Sequence, residues 1–466
     1  MTINGTDLLA LGLTGRNVGL ALNAARALPG TPGIYSDADI LDALRGVIAR
    51  PGQFEGDATF GALAHELNAA DRLRAAQARD ALNDDIHPYQ EFGRHLIEQG
   101  ARDQMNVAMR LPITVGGALM PDAHPGYTVP IGGVLETRGA VIPAAVGVDI
   151  GCSMMLTLTD VPAGEFGRLR DAFTRALLTG TSFGLGCQGF GEDAEVLDDK
   201  AAWASLPAPL RGLRDQARAQ FGSQGGGNHF CNFGVYRAIS GGPGFVALVT
   251  HFGSRGVGAR IAKYYTDLAR NLRPHLPAEA ADLAWLSTAD GEGREYLHAM
   301  NLAARFAEQG HAATHRRLLL AAGVTHVKER LFNAHNLAWE TPDGTFIHRK
   351  GATPAAAGQM GIIPGTAADP AYVVSGLGHP GSLGSASHGA GRVLGRRQAQ
   401  RTLNRAEVDA YFAERGVTRL GGGIDEAPQA YKDIREVIAA QADLVTPVGT
   451  FQPLIVRMCD DDYAED

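Results

Sequence analysis

The chain has 466 residues, 45% of them hydrophobic, which is ample for a large buried core. A net charge of −8 and a pI near 6.0 exclude a protein that coats nucleic acid nonspecifically; any nucleic acid must be met by a local cationic patch or at a terminus. Four cysteines without a CxxC pair, no run of about 18 apolar residues and no signal-peptide pattern at the start predict a cytoplasmic chain with no membrane span.

In chain order, residues 1–100 read as a helical appendage. DADILDALRGVIAR and GALAHELNAADRLRAAQARDAL carry helical spacing, with LPGTPGIYSD as the breaker ahead of the first. From Leu111 to Leu158, Gly, Pro and β-branched residues predict short strands joined by tight turns. Helices are predicted over 163–178, 207–220, 257–272, 293–320 and 323–337. GFVALVTHFGSRG reads as a buried strand with His251 at its C-terminal end, and TFIHRKG and AYVVSGL as further strands. Last come helices over 404–415 and 427–442, and an acidic, disordered tail over 459–466.

The 60 glycines sit in short phrases beside His, Asp, Asn and Arg, as expected where backbone approaches a ligand. The most telling phrase is GSASHGAGR, residues 384–392, ahead of the helix-like RVLGRRQAQRTL. A glycine-rich loop opening a helix is a phosphate site, and His388 inside it can attack phosphorus. The plainer alternative is a capping loop with an incidental histidine. Arg392 and Arg396, four apart, would share one helix face beside it, with Arg397 and Arg401 following. In VGVDIGCSMM, Asp149 and Cys152 can converge on one ion, or form a buried turn with a structural thiol. FGSQGGGNHF offers Asn228 and His229, VTHFGSRGVG offers His251 and Arg255, and LFNAHNLAWE offers His335 and Asn336 at an expected helix end. PDAHPGYTVPIGG contributes Asp122 and His124, and HRKGATPA a cationic spot at His348, Arg349 and Lys350. Five ligands sharing one thiolate could hold two metals, and beside a phosphate-binding histidine that suggests phosphoryl or nucleotidyl transfer.

These phrases resemble the RtcB RNA-splicing ligases over about residues 105–457. The family carries, in the same order, PDVHxGYxxPIGG, DxxC, GxxGxGNHF, HxGSRGxG, a His-Asn phrase, HRKGA, CHGAGR and EAPxAYKD. The counterparts here are PDAHPGYTVPIGG, VDIGC, GSQGGGNHF, THFGSRGVG, AHNLAWE, HRKGATPA, SHGAGR and EAPQAYKD. The resemblance implies a mixed α/β (α+β) fold, with one large ligase domain over 101–458 and its site in a central cleft. It implies GTP and two Mn²⁺ ions as cofactors. RNA with a 3′-phosphate or 2′,3′-cyclic phosphate end would be joined to a 5′-hydroxyl end, and an activating protein partner is left open. His388 would carry GMP, supported by Asp122. Cys152 would bridge the metals, with Asp149 and His229 on one and His251 and His335 on the other. The nucleotide would meet Asn228, Asn232, Asn336, Pro364, Gly365, Thr366, Ala371, Gly389, Ala390, Gly391 and Arg457. RNA phosphates would meet Arg255, Lys350, Arg392 and Arg396.

Three departures fall on the nucleotide set. Asn232 stands where the family has Glu, Ala371 where it has Ser and Arg457 where it has Lys. They predict a relaxed choice of base. A metal-dependent phosphohydrolase or nucleotidyl end-modifying enzyme that does not seal is the alternative; it has no need of His388 in a phosphate loop.

Overall fold

The computed structural model describes residues 3–28, 31, 34 and 36–460. Part of the LPGTPGIYSD breaker and residues 461–466 of the expected acidic tail lie outside the described residues. The chain divides into two compact units, Met1–Ala81 and Leu82–Asp466.

The first unit is helical: Gly5–Ala10, Arg16–Ala27, Asp37–Ala49 and Gly61–Asp80. Its core gathers Leu8, Leu44, Val47 and Leu63. Helix Asp37–Ala49 starts where it does because Ser36 and Asp39 form a capping box. The Ser36 hydroxyl accepts from the Asp39 N–H at 3.3 Å, and the Asp39 carboxylate accepts from the Ser36 N–H at 2.7 Å.

The second unit begins well before residue 101. Strand Gln90–Glu91 already pairs with Ala118 and Leu119, and helix Gln99–Ala108 packs Met105 against Gly117. One sheet runs, in spatial order, Gln90–Glu91, Thr114–His124, Ile131–Arg138, Thr345–Lys350, Asn336–Glu340. A larger one runs Met360–Ile363, Ala371–Gly376, Val445–Met458, Phe230–Ala238, Phe245–Phe252, Ser153–Pro162, Val327–Ala334, with neighbours antiparallel. Strand Phe245–Phe252 is buried almost throughout, so it reads as an unbroken apolar run rather than an alternation. The 31-residue helix Gly291–Ala321 packs on helix Phe166–Gly180 and buries Tyr296, Phe306 and Leu318. The result is the α+β class expected. Among the described residues no helix is long and apolar enough to cross a membrane.

Three expectations are corrected. Residues 323–337 are not a helix. Val327–Ala334 is an edge strand paired with Ser153–Pro162, and Asn336–Glu340 pairs with Thr345–Lys350. The edge is exposed from Val327 to Arg330, and charges there blunt an open edge as readily as they decorate a helix. The segment 427–442 is cut by Pro428 into a 3₁₀ turn, and the helix proper is Ile434–Ala439. The helix after His388 starts only at Arg396 and ends at Thr402. Arg392 is instead drawn into an antiparallel bridge with Tyr431, and the chain is still extended at Gly395, whose ψ is 153°.

Candidate active site

Asp149 and Cys152 share a tight turn just before strand Ser153–Pro162, where the Cys152 N–H donates to the Asp149 carbonyl at 3.1 Å. That turn lies beside His251, near the end of strand Phe245–Phe252, because Met154 pairs with His251 in the sheet. His229 precedes strand Phe230–Ala238, whose Phe230 also faces His251. His335 sits between two strands, not at a helix end, and its N–H donates to the Cys152 carbonyl at 3.0 Å. Four sequence-distant phrases thus meet through strand register.

Their donor atoms form two triads that share the Cys152 sulfur: Asp149, Cys152 and His229, and Cys152, His251 and His335. His229 Nε2 lies 3.0 Å from Asp149 Oδ2 and 3.6 Å from Cys152 Sγ. His251 Nε2 lies 3.2 Å from Cys152 Sγ and 3.3 Å from His335 Nε2. His229 Nδ1 donates to the Gln224 carbonyl at 2.8 Å and His251 Nδ1 to that of Asn228 at 3.3 Å. A carbonyl only accepts, so both Nδ1 atoms carry a proton and both Nε2 atoms are turned to the cluster. Burial, followed by the neighbouring histidines, pushes the His251 and His335 pKa values well below the usual range, leaving both rings neutral. Burial opposes the Asp149 charge, but the His229 contact and nearby groups outweigh it and hold the carboxyl below its ordinary value. A carboxylate, a thiol and three imidazoles packed this closely form a cluster that could hold metal.

His388 stands next to this cluster, its ring centroid 5.0 Å from that of His335. Its Nδ1 donates to Asp122 Oδ2 at 2.8 Å. The same oxygen accepts from the backbone N–H of His388 at 3.1 Å and of Gly389 at 3.3 Å. These loop N–H groups therefore hold a carboxylate rather than an open phosphate cradle. Asp122 is fully buried. Burial works against its charge, but the His388 hydrogen bond, His388 itself and Lys432 prevail and keep its pKa low. With Nδ1–H fixed on Asp122, the His388 Nε2 lone pair is the free one.

Two hollows meet at His388. One, about 180 Å³, is lined by Asn228, Pro364, Gly365, Thr366, Gly389, Ala390 and Gly391. The other, about 700 Å³, is lined by both triads, Asn336 and Lys350. A family model described as tRNA-splicing ligase RtcB matches residues 104–458. The chain is 34% identical over 393 residues to the RNA-splicing ligase RtcB of Escherichia coli, covering 77% of this chain and 94% of that one. It is 33% identical over 432 residues to the RNA-splicing ligase RtcB of Mycobacterium tuberculosis, covering 75% and 98%. It is 28% identical over 444 residues to the tRNA-splicing ligase RtcB of Thermococcus kodakarensis, covering 77% and 90%. This chain belongs to the RtcB ligase family.

Within this RtcB-family fold the remaining expected residues divide. Lys350 lines the larger hollow; it is buried, and burial lowers its pKa to about 8. Asn336 also borders that hollow, where it brackets the site by donating to the Asp149 carbonyl at 3.1 Å and accepting from the Gly351 N–H at 2.7 Å. Arg392 and Arg396 do not share a helix face, because Arg392 lies in the loop before the helix. Both line the smaller hollow, and both are paired with Glu426, Arg392 at 3.2 Å. Arg255 lines neither hollow. Its guanidinium clamps the glycine loop, donating to Ser223 Oγ at 3.0 Å and the Gly184 carbonyl at 3.2 Å. Gly225 makes room for it, since a Cβ there would sit 2.1 Å from Arg255 Nη1.

The three departures lie behind or beside the smaller hollow. Asn232 and Ala371 line a small recess beside Pro364–Thr366, and the buried Asn232 Oδ1 has no hydrogen-bond partner among the described residues. Arg457 points to the carbonyls of Leu420 at 3.1 Å and Met458 at 2.9 Å. Lys432 was missed by sequence reasoning. Its ammonium donates to the carbonyls of Pro121 at 3.1 Å and Ala123 at 2.8 Å, bracketing Asp122. The phrase EAPQAYKD carries it, together with Glu426 and Tyr431.

Proposed function

We propose that this chain is an RNA ligase that joins a 3′-phosphate or 2′,3′-cyclic phosphate end to a 5′-hydroxyl end, using GTP and two Mn²⁺ ions. The observation that carries the reading is His388, its Nδ1–H held by buried Asp122 and its ring against the shared-thiolate cluster.

In the first step His388 Nε2 attacks the α-phosphorus of GTP. The P–N bond forms, the bond to the β-phosphate oxygen breaks, and pyrophosphate leaves. Asp122 stabilises the imidazolium character that develops on His388, as a buried carboxylate does for a histidine nucleophile or base. An RNA 3′-phosphate oxygen then attacks the carried phosphorus, and the P–N bond breaks to return His388. A cyclic phosphate is first opened by water. Finally the 5′-hydroxyl oxygen attacks the RNA 3′-phosphorus, its proton is lost, and GMP leaves.

The donor set fits a pair of divalent ions: Asp149, Cys152 and His229 would hold one, and Cys152, His251 and His335 the other. Bound there, they would neutralise phosphate charge and favour ionisation of the attacking hydroxyl. A bridging thiolate is soft for Mn²⁺, so Zn²⁺ is expected to compete. Lys350 is the cation best placed to receive an RNA phosphate, since Arg392 and Arg396 already pair with Glu426. Asn228, Pro364, Gly365, Thr366 and residues 389–391 would enclose the nucleotide, in a chain that works in the cytoplasm.

The test is covalent labelling. Incubation with α-labelled GTP and Mn²⁺ should leave an acid-labile label on the protein, absent from His388→Ala. A label that persists in the alanine variant would refute His388 as the carrier.

A further inference from the structure

The loop Pro125–Pro130 joins strands Thr114–His124 and Ile131–Arg138, and at its tip Tyr127 is 87% exposed. The loop is not slack. Gln104 grips Gly126 from both sides, its amide donating to the Gly126 carbonyl while its oxygen accepts from the Gly126 N–H at 2.9 Å. On the other side of the tyrosine, the Thr128 hydroxyl donates to the Ala144 carbonyl at 3.0 Å. A large aromatic ring is thus held out into solvent by a pinned backbone. It borders the larger hollow and also the adjoining hollow lined by His124, Lys350, Arg392 and Arg396.

Lys350 lines both of those hollows. It is more than nine-tenths buried, its ammonium has the Thr128 hydroxyl at 3.4 Å, and no carboxylate pairs with it among the described residues. A buried ammonium without a counter-ion beside an open cavity calls for an anion. Thr128 is the residue after Tyr127, so an anion on Lys350 lies within one nucleotide's reach of the exposed ring. An aromatic platform beside a cation is the pairing that binds single-stranded nucleic acid.

Resting on the ligase reading above, we propose that Tyr127 stacks the base of the 3′-terminal nucleotide of the RNA while Lys350 receives that nucleotide's terminal phosphate. The 3′ end is assigned because it alone ends in phosphate, a monoester of higher charge; the 5′-hydroxyl end offers Lys350 only singly charged internal diesters. The site reads no particular base, since every base has a face to stack. It requires instead that the terminal nucleotide be unpaired.

The test is a cycle of binding measurements by fluorescence anisotropy. It uses the full chain with Mn²⁺ and a short dye-labelled single-stranded RNA bearing a 3′-phosphate, either intact or abasic at its 3′-terminal nucleotide. Loss of the base should weaken binding to the unaltered protein and to Tyr127→Phe by about tenfold. In Tyr127→Ala the same change should cost less than about twofold, because the platform is already gone. An abasic site at the 5′ end should cost all three proteins equally. Intact RNA bound equally well by Tyr127→Ala and unaltered protein would overturn the proposal, as would an abasic penalty that is the same in both. Sealing of the intact RNA is measured alongside. Sealing with a Tyr127-independent affinity removes only the base subsite, whereas absence of both binding and sealing removes the ligase reading and the subsite with it.

Discussion

Asp122 Oδ2 accepts from three donors on the His388 loop, while Oδ1 is buried without a partner. Asp122→Asn keeps the shape but offers an amide that can donate, which disturbs the tautomer of His388. The expected result is a loss of labelling rate of about two to four orders of magnitude with an unchanged melting temperature. An Asn variant that labels at the normal rate would show that the carboxylate is not needed. The shared sulfur makes a second prediction. Equilibrium dialysis should find two Mn²⁺ per chain. Cys152→Ala should bring this close to zero, since the sulfur serves both triads, whereas His335→Ala should leave one. Base choice belongs to this scale too. Asn232 both donates and accepts where the family's Glu only accepts, and its Oδ1 is unmatched. Labelling should therefore prefer GTP over ATP less strongly than in the variant Asn232→Glu. Strict GTP use, unaffected by Asn232→Ala, would place base reading elsewhere.

At the scale of elements, the sequence was most legible where polar residues interrupt apolar strands. THFGSRG announced a strand ending in His251, and HRKG a strand carrying Lys350, because buried strands tolerate such groups only for a reason. It was least legible at 323–337. There Lys328, Glu329 and Arg330 suit a helix face as well as an exposed edge, and the pairing with Ser153–Pro162 that decides between them is non-local. The early start expected for the helix after His388 failed for a similar non-local reason, the bridge from Arg392 to Tyr431. Buried histidines tie the elements together. His348 Nε2 accepts from the Ile142 N–H at 3.0 Å, and Thr250 Oγ1 bridges His311 at 2.6 Å and His315 at 2.7 Å. Burial lowers His124 and His348 to about 4 and His311 to about 3. The folded chain then binds fewer protons than the unfolded one below pH 6.5. Their contribution is complete above that pH and is lost as pH falls toward 4, by about 1.4 kcal/mol per unit for each ring. The urea midpoint of metal-free protein should fall between pH 7 and 5; a flat midpoint would contradict the neutral, buried rings.

At the scale of the whole molecule, the candidate site was legible as a set of phrases but not as a shape. The sequence could name Asp149, Cys152, His229, His251 and His335. Their division into two triads around one sulfur followed only from the family resemblance, and that His388 stands between two hollows could not be read at all, because both depend on sheet register. Nor could the sequence tell that Arg255 and Arg457 turn to backbone carbonyls, since an arginine's partners are set by the fold around it. With a net charge of −8, the molecule depends on a few local cations to meet RNA, which suits recognition of an end rather than a length of strand.

Whether the centre seals RNA or trims it is decided by the fate of one phosphorus. RNA carrying a radiolabelled 3′-phosphate is incubated with a 5′-hydroxyl strand, GTP, Mn²⁺ and the protein, and the products are treated with phosphatase. The label should enter a longer strand and become resistant to phosphatase, because the 3′-phosphorus becomes the joint. Release of the label as inorganic phosphate, with no longer strand, would contradict it and establish a phosphohydrolase in its place.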